Sequence, residues 1–98
     1  MGRCENNEYA ISYSEIALKD LALHSKAGDL ATIKRIDRIL KELETTPYTG
    51  IGNPHQLKHN YNGKWSRHLN KKDVIVYSVD EDKRIVLIYT ARFHYLDK

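Results

Sequence analysis

The sequence predicts an α+β domain of order β-α-α-β-β-β, with a two-helix hairpin packed on one face of an antiparallel sheet. Three observations predict it. Ile33, Ile36, Leu40 and Leu43 recur at spacings of three and four, the mark of one helix face. Beyond Pro54 the chain becomes a series of short apolar-rich runs separated by turn residues, of which Val74–Val79 and Arg84–Ala91 are densely β-branched. A length of 98 residues leaves room for one core and one domain.

Each element has a local reason. Tyr9 to Ser14 alternates apolar and small polar side chains, as a strand with one buried face does. Ser14 can cap a first helix whose apolar stripe is Ile16, Ala17, Leu18, Leu21 and Ala22, and Gly28 can close it in the left-handed conformation. Asp29 caps the second helix, which Pro47 stops after Thr45 and Thr46. So short a turn between them predicts an antiparallel helix pair. Thr49 to Pro54 supplies two glycines and an Asn-Pro step, hence a loop. The strands that follow are expected at Leu57–His59, Trp65–Leu69, Val74–Val79 and Arg84–Ala91. Their turns fall at Asn62-Gly63, Asn70–Asp73 and Asp80–Lys83. Residues 1–8 read as an unordered N-terminal extension, and 9–98 as the single domain.

The net charge of +3 is unevenly spread: residues 1–50 hold 7 Lys+Arg against 8 Asp+Glu, residues 51–98 hold 9 against 5. Four of the five histidines also lie in the basic half. That half suits an anionic partner, nucleic acid or nucleotide first among them, and equally a solvated basic surface. One cysteine, Cys4, excludes a disulfide framework and a thiolate metal site. No apolar run approaches a membrane span and the start has no signal-peptide core, so the expectation is a cytoplasmic protein without a membrane partner. The spacing of His55, His59, His68 and His94 matches no compact metal-ligand motif, so neither a metal nor another cofactor is expected.

The run Thr46-Pro47-Tyr48-Thr49-Gly50-Ile51-Gly52-Asn53-Pro54 is followed by Leu57-Lys58-His59-Asn60, Gly63, Trp65-Ser66-Arg67, Val76-Tyr77 and the closing His94-Tyr95. In that order these pieces strongly resemble the YoeB/Txe toxins of the RelE/ParE toxin–antitoxin superfamily, over about residues 9–95. The resemblance implies a RelE-like fold and a metal-independent endoribonuclease that cuts mRNA in the ribosomal A site. It also implies a cognate antitoxin as partner, beside the 70S ribosome and its mRNA, and makes a homodimer plausible. An acidic antitoxin segment that folds on binding would suit the basic half.

The chemistry fits. RNA is cut without metal when its 2′-hydroxyl attacks the adjacent phosphorus, which needs a base, an acid and cations around the phosphorane. The resemblance makes His94 the proton donor and Tyr95 a phosphate-orienting neighbour. His55 stands where the family has its glutamate base, and a neutral imidazole can take that role, predicting a bell-shaped pH–rate profile. Val74 stands where the family has an arginine. Lys58, Arg67, Lys72 and Arg92 are the cations expected to compensate at the RNA, with weakened activity, or a silent protein that only binds antitoxin or ribosome, as the alternative. Leu96-Asp97-Lys98 extends past the tyrosine at which typical relatives end. His59 and His68 read as strand or turn residues, Trp65 as a core anchor, and Tyr48, Tyr61, Tyr77 and Tyr89 as packing. The acidic turn at Asp80–Asp82 is expected to face away from RNA.

Overall fold

The computed structural model describes residues 8–58 and 63–92. Its elements run β1 (Ala10–Tyr13), α1 (Glu15–Ala27), α2 (Leu30–Leu43), β2 (His55–Gln56), β3 (Trp65–His68), β4 (Val74–Asp80) and β5 (Ile85–Thr90). They form the expected α+β architecture, with all five strands in one sheet of order β1-β5-β4-β3-β2. β2 through β5 make the antiparallel meander. β1 differs: it pairs with β5 in parallel, Ala10 opposite Ile85 and Tyr13 opposite Ile88, so the sheet is mixed. Parallel neighbours need a long crossover, and two helices plus three strands separate these two. The short strand expected at Leu57–His59 forms two residues earlier, because His55 and Gln56 pair with Ser66 and Trp65. Residues 1–7 of the N-terminal extension, Asn62 of the expected Asn62-Gly63 turn, His59, Tyr61, His94, Tyr95 and the C-terminal tail lie outside the described residues.

The caps form as read. Ser14 Oγ accepts from the Ala17 amide at 3.0 Å, Gly28 takes φ +74 and returns its amide to His24 O, and Asp29 accepts from both the amide and hydroxyl of Thr32. α2 turns Ile36, Ile39 and Leu43 onto Ile75, Tyr77, Val86 and Ile88, the centre of the core. Burying each such side chain stabilises the fold by about 1.5–3 kcal/mol.

α1 departs from its apolar stripe. Ala17 is buried and Leu21 packs against the core, but Ile16 and Leu18 are 52 % and 55 % exposed while Asp20 and His24 face inward. The reason lies just past β5, where backbone groups need partners under the helix. The Ala91 amide donates to Asp20 Oδ2 at 2.9 Å, and His24 Nε2–H donates to Ala91 O at 2.7 Å.

At the opposite end Glu81 accepts from the phenols of both Tyr9 and Tyr48 and pairs with Arg84, which also lies over the Tyr9 ring. Burial first, then the bond to Glu81, pushes both phenols above their ordinary 10.0. The Tyr48 and Tyr9 bonds hold the Glu81 carboxyl below its ordinary 4.5. A raised phenol stabilises the fold below pH 10 and loses that contribution as pH climbs toward its folded value. A lowered carboxyl stabilises above 4.5 and loses its contribution as pH falls. Urea midpoints should therefore be flat between about pH 5 and 9 and decline on either side. Tyr48→Phe should flatten the alkaline limb.

Candidate active site

The glycine-rich loop between α2 and β2 is built around a buried cation. Arg67, expected among the RNA-contacting cations, has a fully buried side chain whose nitrogens are committed inside the protein. Nη2 donates to Thr46 O and Thr49 O at 2.9 and 2.8 Å, and Nη1 to Glu42 Oε1 and Ile51 O at 2.7 and 3.4 Å. Nε donates to Tyr77 Oη, whose hydroxyl in turn donates to Pro47 O at 2.6 Å. Four loop carbonyls thus point inward at one guanidinium–phenol pair, which satisfies groups that a loop would otherwise leave to water. Arg67 is a structural post and is not at the protein surface. Burial pushes the Glu42 carboxyl up, but the Ile51 amide and the Arg67 guanidinium outweigh it and hold the group low.

Two glycines let the loop close. A Cβ on Gly50 would fall 2.0 Å from Glu42 Oε1, inside the ion pair. Gly52, at φ +85, lies against β3: a Cβ there would meet His68 O at 2.9 Å and Arg67 Cβ at 3.1 Å. Gly52 O accepts the His68 amide at 2.7 Å. Gly52→Ala should cost about 1–3 kcal/mol through strain and collision together. A thermal midpoint unchanged by that substitution would contradict the contact.

That contact sets where His55 goes. Three residues past Gly52, it pairs across from Ser66, so the two share a sheet face with Val76, the next residue in the same row. Strand alternation puts this face away from the helices, since Trp65, Ile75, Tyr77 and Ile88 pack toward them. His68, two residues beyond Ser66, is on it too. Both histidines are exposed, and their ring centroids lie 6.5 Å apart. His68 pairs across from Val74. Thr90 Oγ1 is buried with no hydrogen-bond partner among the described residues.

The other expected cations divide. Lys58 is exposed just after β2. Lys72 and Arg92 come together on a cavity of about 330 Å³ between the end of α1, the start of α2 and the β3–β4 turn. Asp29 and Asp73 line it as well, and Asp73 Oδ1 is buried without a hydrogen-bond partner among the described residues. Among the described residues no group of three His, Cys, Asp or Glu side chains is placed to hold a metal ion. No helix among them is long and apolar enough to cross a membrane.

Sequence reasoning leaves His68 a strand or turn residue, Tyr89 a packing residue and Lys64 without a place at the site. Alternation outward from Trp65 carries the missed signal, because it puts Lys64, Ser66 and His68 together on the face opposite the tryptophan. There Lys64 Nζ lies 4.7 Å from the centroid of the Tyr89 ring, whose hydroxyl meets Ser78 Oγ at 3.2 Å. Trp65 is the core anchor expected, packed against the core with Tyr48 5.0 Å away.

The family model of the YoeB-like toxins of bacterial type II toxin–antitoxin systems matches residues 13–95. The chain belongs to that family. It is similar to a YoeB toxin of Synechocystis sp., with 36 % identity over 85 residues, 87 % of this chain and 95 % of that one. Among solved structures it resembles the YoeB dimer of Staphylococcus aureus, with a TM-score of 0.75, 30 % identity, and 90 % and 99 % of the two chains covered. The YoeB of the Staphylococcus aureus YoeB–YefM complex matches with a TM-score of 0.74 and 30 % identity, covering 89 % and 98 %. The match to the YoeB-like toxins runs through His94 and Tyr95, and the described residues end two positions before the histidine.

Proposed function

We propose that this YoeB-family toxin is a metal-independent endoribonuclease that cuts mRNA in the ribosomal A site and so stops translation. The observation that supports it is the exposed imidazole of His55, held at the sheet edge by the Arg67-centred loop on the basic half of the chain. In this reading His55 takes the proton of the RNA 2′-hydroxyl as its oxygen bonds to phosphorus. His94 gives a proton to the departing 5′-oxygen, leaving a 2′,3′-cyclic phosphate and a free 5′-hydroxyl. Tyr95 orients the phosphate, and Lys58, Lys72 and Arg92 supply positive charge along the strand. A cognate antitoxin, of the kind crystallised with the Staphylococcus aureus relative, would silence it, and a homodimer is the proposed free form.

The experiment is cleavage of a defined message on purified ribosomes in the presence of chelator, followed from pH 5 to 9. A bell-shaped profile with new mRNA ends is expected. Val74 favours a second reading, because an apolar residue buried to 4 % exposure contributes no charge to a phosphorane. That reading is a silent relative that holds antitoxin or ribosome without cutting. Tight antitoxin binding with no new ends at any pH would select it.

A further inference from the structure

We propose that His68 touches substrate: with His55 it forms a two-imidazole grip on one phosphodiester of the RNA. The inference rests on the endonuclease reading and adds to it a residue that no other observation assigns.

A centroid separation of 6.5 Å is too wide for the two rings to bond each other directly. It is wide enough for one phosphodiester to lie between them, its 2′-oxygen at the neutral His55 ring and a phosphate oxygen accepting an N–H from His68. Both rings are exposed, on one face of neighbouring strands. His55 Nδ1 lies 3.4 Å from Asn53 O, which leaves Nε2 to face a ligand. At His68 it is the backbone that is held: its amide donates to Gly52 O at 2.7 Å and its carbonyl accepts from Arg35 Nε at 3.1 Å. The ring is therefore aimed by contacts that do not consume it, as a preorganised donor must be. Across the strand stands Val74, apolar and uncharged, so the position paired with this ring brings no charge to it. Of the cations expected to neutralise the phosphorane, Arg67 is sealed in the loop, Lys72 and Arg92 line the cavity beyond the β3–β4 turn, and Lys58 is exposed two residues past β2. His68 is a cation-capable group whose ring the fold sets beside that of His55. A protonated imidazole meets phosphate with charge, and a neutral one still donates an N–H.

The test compares wild type, His68→Gln and His68→Arg. On ribosomes His68→Gln should cut the defined message about 10²–10³-fold more slowly, and His68→Arg should restore the rate to within about tenfold of wild type. Both variants should keep the wild-type thermal midpoint, since among the described residues it is the backbone of His68 that is hydrogen-bonded. Independently of cleavage, a short RNA with hydrogen in place of its 2′-hydroxyls should shift the His55 and His68 ring signals together in an NMR titration. His68→Gln cutting like wild type, equal losses in both variants, or a His68 signal unmoved by the RNA would overturn the grip. If wild type cuts nothing while both signals move, the endonuclease reading fails and the phosphodiester site stands.

Discussion

Arg67→Ala should lose about 3–5 kcal/mol of stability, the cost of removing one partner from a buried, hydrogen-bonded ion pair. Removing the guanidinium leaves the carbonyls of Thr46, Thr49 and Ile51 without their donor, and Glu42 with only Ile51 and Arg38 to face. In a domain of this size that loss lowers the melting midpoint by at least about 12 °C. Arg67→Lys should recover little of it, because a point charge cannot span two carbonyls on one side and a carboxylate on the other. Calorimetry reads both. A midpoint within a few degrees of wild type would mean that the loop stands without its post. The loop also positions His55, so activity measured on this variant reports folding and not catalysis.

His94→Ala should leave the melting midpoint unchanged and slow cleavage by about 10²–10⁴-fold, the usual contribution of a positioned general acid or base. The chain reaches this residue three positions after Ala91, whose amide and carbonyl are fastened to Asp20 and His24. The loop clamp thus holds the strand that carries His55, and the α1 anchor holds Ala91. The pH profile separates the roles. In wild type the rate falls at low pH as the base takes a proton and at high pH as the acid loses one. His94→Ala should abolish the high-pH decline and keep the low-pH one, and His55→Ala should do the reverse. A variant with unaltered rate and profile would strip that residue of its role.

Much of this was legible because it is local. The caps at Ser14, Gly28 and Asp29 depend on residues within one turn, and the β-branched runs that became β4 and β5 carry their own preference. What was not legible involves distant partners. Nothing in Ala10–Tyr13 announces that it will lie parallel to β5, since the pairing is decided by a segment about seventy residues away. The inward turn of Asp20 and His24 is likewise invisible until Ala91 is placed above them. Arg67 read as a surface cation because arginine is rarely fully buried without a carboxylate and several carbonyls to meet it. Here α2 and the loop supply them, from positions 16 to 25 residues earlier in the chain. His55 was found from its place in a motif, whereas His68 became visible only when the approach of Gly52 set the two strands' rings side by side.

The parallel joining of β1 to β5 bears on how the molecule comes into being. The amide of Ser14 closes onto Ile88, and its hydroxyl onto Tyr89, 75 residues downstream. The first strand therefore has no edge to join until the last strand of the sheet has been made, and contacts of such separation are slow to form, so this pairing is a late step in assembling the sheet.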